Sequence, residues 1–249
     1  MIAKAALQSV RMIRTGTLEK GRAERRHHVL PNGTGYWRNG LIASPAEDAV
    51  APQAFLVEQD PGTVIEPHFH LQDEFQVMVG GSGSLGRHAV QPVSVHYAGA
   101  HTGYGPITAG SDGLDYITLR SRMDTGAQFL PGARDKMQRV PKRHLLGPVL
   151  RPSEPHALAA RQHPELVTLI EPQTDGIAAW MLRVPAGSTS VAPVHPGGGC
   201  FLLVIGGMLE LNGERLPRLA TAFVSAEESV PPLRAGSEGL EVLLLQFRL

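Results

Sequence analysis

The sequence predicts an all-β protein made of two tandem barrels joined by a short, partly helical connector. Three observations predict it. The 249-residue chain carries 28 Gly and 20 Pro and is 42% apolar and 18% charged, a mixture that suits many short strands with tight turns better than long helices. Its apolar residues alternate or run in short blocks of strand length, as in Gln53 to Gln59 and Cys200 to Ile205. The chain also repeats itself. E-F-Q-V-M-V-G-G-S-G-S-L, starting at Glu74, returns as C-F-L-L-V-I-G-G-M-L-E-L from Cys200. Setting Gly206-Gly207 over Gly80-Gly81 gives an offset of 126 residues, the spacing of a duplicated unit.

Bulk properties exclude several function classes. Lys plus Arg and Asp plus Glu stand at 23 each, so no global field recruits nucleic acid. The basic stretches at residues 11–26 and 134–143 lack the interleaved aromatics of a single-strand platform and read as solvated surface or dimer rim. One cysteine, Cys200, excludes an internal disulfide framework and fits a reducing compartment. The N-terminus lacks the apolar core of a signal peptide, and no apolar run is long enough to cross a bilayer. A soluble cytoplasmic protein without membrane or nucleic-acid partners is expected. No G-x-G-x-x-G or P-loop opens a helix, so any redox chemistry must come from elsewhere.

Taken in order, residues 1–28 read as an arm with one short strand. Val29 to Ile42 follows, punctuated by the turn dipeptides Asn32-Gly33 and Asn39-Gly40. Tyr36, Trp37 and Arg38 between them read as a surface hairpin, with a pocket edge as the alternative. Ala43 to Ala51 is expected to be a loop and Gln53 to Gln59 a strand. After the Gly80-Gly81 turn comes a short hairpin ending at Gln91-Pro92, then a strand from Val93 to Tyr97 and a glycine-rich turn. Leu114 to Arg120 closes the first barrel. From Ser121 to Pro164 the β pattern stops, and its prolines and basic residues suggest a connector with one or two short helices. Strands then resume over 166–171, 178–184, 200–205, 220–225 and 241–247. The expected division is 1–125, an N-terminal barrel; 126–164, the connector; and 165–249, a C-terminal barrel.

The chemistry gathers between Gly62 and Gly81. His68 and His70 are one residue apart, so on a strand both imidazoles share a face. Across the polar turn Leu71-Gln72-Asp73, Glu74, Gln76 and Met78 share one face of the next strand while Phe75, Val77 and Val79 share the other. Two imidazoles and a carboxylate from adjacent strands supply three parts of a divalent metal site with room for further ligands. A lone histidine pair is more often structural, but this one lies between two glycine turns inside a β-rich pattern.

The spacing G-x5-H-x-H-x3-E-x6-G, filled by Gly62, His68, His70, Glu74 and Gly81, resembles the first motif of the cupin superfamily. Ala98-Gly99-Ala100-His101 resembles the second motif, one residue short and with Ala98 in place of the usual proline. The resemblance is specific over about residues 53–120 and weaker over 166–247. It implies tandem jelly-roll-type barrels, a bicupin, associating as a homodimer. It also implies a fourth metal ligand from the second motif, His101 first and His96 as the alternative. At the 126-residue offset His68, His70 and Glu74 become Val194, Pro196 and Cys200, with His195 the only imidazole nearby. One divalent metal per chain is therefore expected in the N-terminal barrel, held by His68, His70, Glu74 and His101, with iron ahead of Mn, Ni, Zn or Cu. Cys200 is expected to pack as a small apolar residue.

The resemblance implies a metal-dependent enzyme, foremost an Fe(II)-type dioxygenase acting on a small oxygenated organic molecule. The alternatives are a redox-neutral metal-dependent lyase or isomerase, or a non-catalytic cupin that binds a small ligand. Glu74, Gln76 and Tyr104 are the expected catalytic residues, Gln76 and Tyr104 by hydrogen bonding to substrate or oxygen. Arg120 reads as a carboxylate anchor or as a solvated strand end.

Overall fold

The computed structural model describes residues 13–30, 32–43, 50–193 and 197–249. Alternating apolar positions put most of this chain into strands, and Gly or Pro breaks them. The first half runs β1 (Arg14–Gly16), α1 (Leu18–Ala23), β2 (Arg26–Val29), β3 (Gly35–Ile42), β4 (Gln53–Gln59), β5 (Val64–Ile65), β6 (His68–Phe69), β7 (Glu74–Leu85), β8 (His88–Val90), β9 (Val95–Ala98) and β10 (Ile107–Arg120). A middle stretch holds β11 (Gln128–Phe129), a single 3-10 turn at Arg134–Lys136, β12 (His144–Leu146) and α2 (Pro155–Ala159). The second half runs β13 (Glu165–Ile170), β14 (Ala178–Val184), β15 (Thr189–Ser190), β16 (Cys200–Leu211), β17 (Glu214–Pro217), β18 (Thr221–Val224) and β19 (Leu233–Gln246).

One sheet is ordered β12-β9-β7-β10-β4-β3-β2, with β5 on β10 and β8 on β7. The other is ordered β1-β18-β16-β19-β14-β13, with β15 on β19 and β17 on β16. The central path β9-β7-β10-β4 thus returns as β18-β16-β19-β14. β7, β9 and β10 match β16, β18 and β19 residue for residue at the offset read from the sequence. Three short strands break this order: β1 crosses to pair with β18 of the second sheet, β12 folds back onto β9 of the first, and β11 pairs with β6 in a separate two-stranded sheet.

The period-2 faces explain the packing. On β7, Phe75, Val77 and Val79 turn toward the second sheet, while Met78 turns into the first barrel with Phe55, Val57 and Tyr116. On β16, Phe201, Leu203 and Ile205 meet that seam, while Cys200, Leu202 and Val204 fill the second barrel. Buried on both faces, these strands need the continuous apolar runs seen in the sequence. Rings lock the seam, with Phe75 5.0 Å from both Tyr97 and Phe247.

Three glycine-containing dipeptides lie inside strands rather than at turns. Gly80-Gly81 and Gly206-Gly207 lie inside β7 and β16, at register shifts against β10 and β19. Gly81 and Gly207 take φ of 65° and 67°, and a Cβ on either would run into the carbonyl of Gly113 or Gly239. Glycine is required there by a bulge with close backbone approach. Asn39-Gly40 lies inside β3, where Asn39 is fully buried and its Nδ2 donates to Glu58 Oε2 at 2.9 Å. Asn32-Gly33 does make the β2–β3 turn, with Thr34 N donating to Asn32 Oδ1 at 3.0 Å. The predicted all-β class holds, with two short α-helices. Among the described residues no helix is long and apolar enough to cross a membrane.

Candidate metal centre and its cavity

Four strands and two loops converge inside the first barrel. Side chains alternate on β6 and the residue after it, so His68 and His70 face inward and Phe69 faces away. Glu74 and Gln76 lie on the inner face of β7, with Gln76 paired to Thr118 on β10 and to His96 on β9. Arg120 ends β10. Tyr104 is brought beside His68 by an antiparallel bridge, with His68 N donating to Tyr104 O at 3.1 Å and Tyr104 N to His68 O at 3.0 Å. His68, Glu74, Gln76, His96 and Arg120 are all buried.

Counting protons in this cluster is informative. His68 Nδ1–H donates to the Glu66 carbonyl at 2.7 Å. Burial, with the charge of His70, holds the His68 pKa down at about 4, so its Nε2 carries a lone pair, 3.0 Å from Tyr104 Oη. Tyr104 has one proton, and Glu74 Oε1 takes it in a short hydrogen bond. Gln76 Nε2 donates to Tyr104 Oη at 3.2 Å, and Gln76 Oε1 accepts from His96 Nδ1–H at 2.9 Å. His96 Nε2 is then a second buried lone pair, and it has no partner. Burial, together with His144, holds the His96 pKa at about 3, keeping the ring neutral.

His70 Nδ1–H donates to Asp124 Oδ1 at 2.9 Å, and its Nε2 lies 3.8 Å from Glu74 Oε2. Burial alone would raise the Asp124 carboxyl, but the His70 bond and the Arg120 charge outweigh it and hold the pKa at about 2. Asp124 Oδ2 also accepts from Leu71 N at 2.9 Å and Gln72 N at 3.1 Å. Arg120 donates to Glu74 Oε2 through Nε at 3.0 Å and Nη2 at 2.8 Å. Its Nη2 is 3.1 Å from both nitrogens of His70, the position of a group over the ring face rather than in its plane. Burial opposes ionisation of Glu74, but His70, Arg120 and the Tyr104 hydrogen bond win and keep its pKa lowered.

The cluster therefore holds more acceptors than protons. His68 Nε2 and Glu74 Oε1 compete for the single Tyr104 proton, while His96 Nε2 has none. A divalent cation relieves that deficit, and neutral imidazoles with a carboxylate are the donors that suit one. The pattern of partners fits as well, since both ligand-type imidazoles have Nδ1 fixed by a carbonyl or a carboxylate. Among the described residues no three His, Cys, Asp or Glu side chains close a coordination sphere by themselves. The Tyr104 hydroxyl and the Arg120 guanidinium stand between them.

The expected fourth ligand lies elsewhere. His101 packs its ring 5.8 Å from Phe69, on the side of β6 opposite His68 and His70. Its Nδ1 accepts from Gln138 N at 3.4 Å, and its carbonyl from Lys142 Nζ at 2.7 Å. His96 is nearer the cluster, its ring 5.0 Å from that of Tyr104. In the second barrel Cys200 takes the place of Glu74 among apolar neighbours, and burial pushes its thiol up to about 12. Val194, His195 and Pro196 lie outside the described residues. Asp124 went unread in the sequence because nothing in its spacing ties it to His70. Arg120 turns inward rather than ending in solvent.

Beside the cluster is a cavity of about 180 Å³ lined by His68, His70, Gln76, Arg120, Phe55 and Arg38, among others. Tyr36 and Arg38 edge it, so β3 is a pocket wall as well as a hairpin strand.

Comparison of the sequence with protein-family models and with curated proteins gives no match. Solved structures are similar. A protein of Nostoc punctiforme PCC 73102, provisionally named a dioxygenase, superposes with a TM-score of 0.66 at 11% identity, over 96% of this chain and 84% of that one. Oxalate decarboxylase of Bacillus subtilis, described with Mn(II) centres, superposes with a TM-score of 0.61 at 12% identity, over 96% of this chain and 78% of the other. The same enzyme at pH 4.6 gives 0.62 at 13% identity, over 96% and 77%. What these likenesses show is the fold, and the chain has the all-β, cupin-type fold of these structures.

Proposed function

We propose that the chain is a bicupin and a metal-dependent enzyme, acting on a small oxygenated organic molecule as an Fe(II)-type dioxygenase. The observation that carries this reading is the shortage of protons among His68, Glu74, Tyr104 and His96 beside an open cavity. His68, His70 and Glu74 would hold one divalent ion per chain. When bound, the ion supplies Lewis-acid and redox chemistry at the cavity wall. The chain's own residues do the rest. Asp124 and the Glu66 carbonyl fix the two imidazoles with Nε2 inward. Arg120 balances the charge of Glu74. Gln76 orients Tyr104, whose proton lies between Glu74 and His68 and can be held or given to a bound molecule. Thiolate-free O/N ligation suits iron, and the similar Nostoc structure bears the name of a dioxygenase.

A redox-neutral lyase or isomerase is the second reading. That same Tyr104 proton, shared by two buried acceptors, supports it as a general acid–base device needing no O2, and oxalate decarboxylase is among the similar folds. Metal analysis of purified protein should give one equivalent per chain, lost in His70→Ala. Turnover of the iron-loaded protein on diketones, hydroxy acids and hydroxylated aromatics should consume O2 and stop without it. Equal turnover under nitrogen selects the lyase or isomerase. Metal content unaffected by His70→Ala sinks both.

A further inference from the structure

Among the described residues, one guanidinium of the cavity wall has no carboxylate partner. Period-2 alternation puts Arg38 of β3, Val57 of β4 and Tyr116 of β10 in one row across the sheet, since Arg38 pairs with Val57 and Val57 with Tyr116. Their side chains share the cavity wall. Arg120, the other cation there, is matched by Glu74 at 2.8 Å and by Asp124 at 3.9 Å. Arg38 is not matched. Its guanidinium lies 3.8 Å over the Phe55 ring, the same ring that Arg120 faces at 5.4 Å. Among the described residues no carboxylate pairs with it. Burial, and repulsion from Arg120 and Arg26, disfavour its charge. A half-buried guanidinium resting over a ring, with its N–H fork uncommitted among the described residues, is preorganised for an anion.

We propose that Arg38 binds the carboxylate of a compact organic acid, whose remaining part reaches toward His68 and His70. The class follows from the unpaired fork and the room beside it. The planar guanidinium fork matches a carboxylate in two parallel hydrogen bonds. The volume of about 180 Å³ admits a small organic acid and little more. This inference deepens the proposed function by naming the substrate class, and it takes from that reading only that the cavity is the ligand site.

Calorimetric titration tests it with two acids and their neutral isosteres, pyruvate against pyruvamide and benzoate against benzamide. Each is run on wild-type, chelator-treated wild-type, Arg38→Met and Arg38→Lys protein. At least one acid is expected to bind wild type roughly 10-fold or more tighter than its amide, the value of a charge-assisted hydrogen-bond pair. That preference should survive chelation, disappear in Arg38→Met and return in part in Arg38→Lys. Melting temperature and metal content of Arg38→Met should match wild type. Equal binding of acid and amide, no binding of either acid, or a preference intact in Arg38→Met overturns the proposal. A preference that depends on Arg38 in a protein that takes up no metal upholds the anion site and rejects the metal centre. Metal uptake without the preference does the reverse.

Discussion

At the scale of single residues, the position of a proton decides what the centre can hold. The Asp124 carboxylate fixes the tautomer of His70 and, through Leu71 N and Gln72 N, the turn behind it. Asp124→Asn should therefore weaken metal binding about 10–100-fold, the usual cost of losing a carboxylate behind a ligating histidine. His101→Ala should leave metal content at the wild-type level, and a loss there would return His101 to the centre. Both are read by metal analysis after dialysis against a graded chelator. The shared inner position of His68, His70 and Glu74 was legible in the sequence because alternation and a three-residue turn fix their faces locally. His101 was misplaced because spacing along the chain does not say which side of Phe69 the returning loop takes. Cys200 was legible as an inert thiol. With its pKa raised to about 12 by burial, it has almost no thiolate at pH 8, so a disulfide reagent should label it only after denaturation. Fast labelling of native protein would contradict the apolar packing.

At the scale of elements, the repeated Gly-Gly pairs are bulges that let two long strands bend without ending. Gly207 combines φ of 67° with a carbonyl of Gly239 where a Cβ would be. Gly213, at φ 82°, has nothing within 4 Å of an added Cβ. Gly213→Ala should then cost only the left-handed backbone term, about 1–2 kcal/mol. Gly207→Ala should cost more, since backbone rather than a movable side chain must shift. Equal losses by urea denaturation would remove the close-approach explanation. The pairs looked like turns in the sequence because glycine marks a turn and a bulge alike, and only the partner strand separates them. Asn39-Gly40 misled for a related reason, since the half-buried partner of Asn39, Glu58, is supplied by the adjacent strand.

At the scale of the whole molecule, the two sheets share a core rather than a linker. Phe75, Val77, Ile117 and Leu119 from the first sheet pack in one cluster with Phe201, Leu203, Leu243 and Phe247 from the second. β1 and β12 also tie chain segments across the division read from the sequence. Neither half can then expose its seam face without losing apolar burial worth several kcal/mol, and the chain should unfold in one cooperative step. The two tryptophans make this measurable, because Trp37 lies on β3 in the first sheet and Trp180 on β14 in the second. Trp37→Phe and Trp180→Phe each leave one reporter, so urea unfolding followed by fluorescence tracks each half separately. The two midpoints should coincide. Phe247→Ala, which removes a fully buried seam ring 5.0 Å from Phe75, should destabilise by about 3–5 kcal/mol and move both reporters together. If only the Trp180 transition moves, the halves fold independently, and the seam is an interface between two domains rather than a common core.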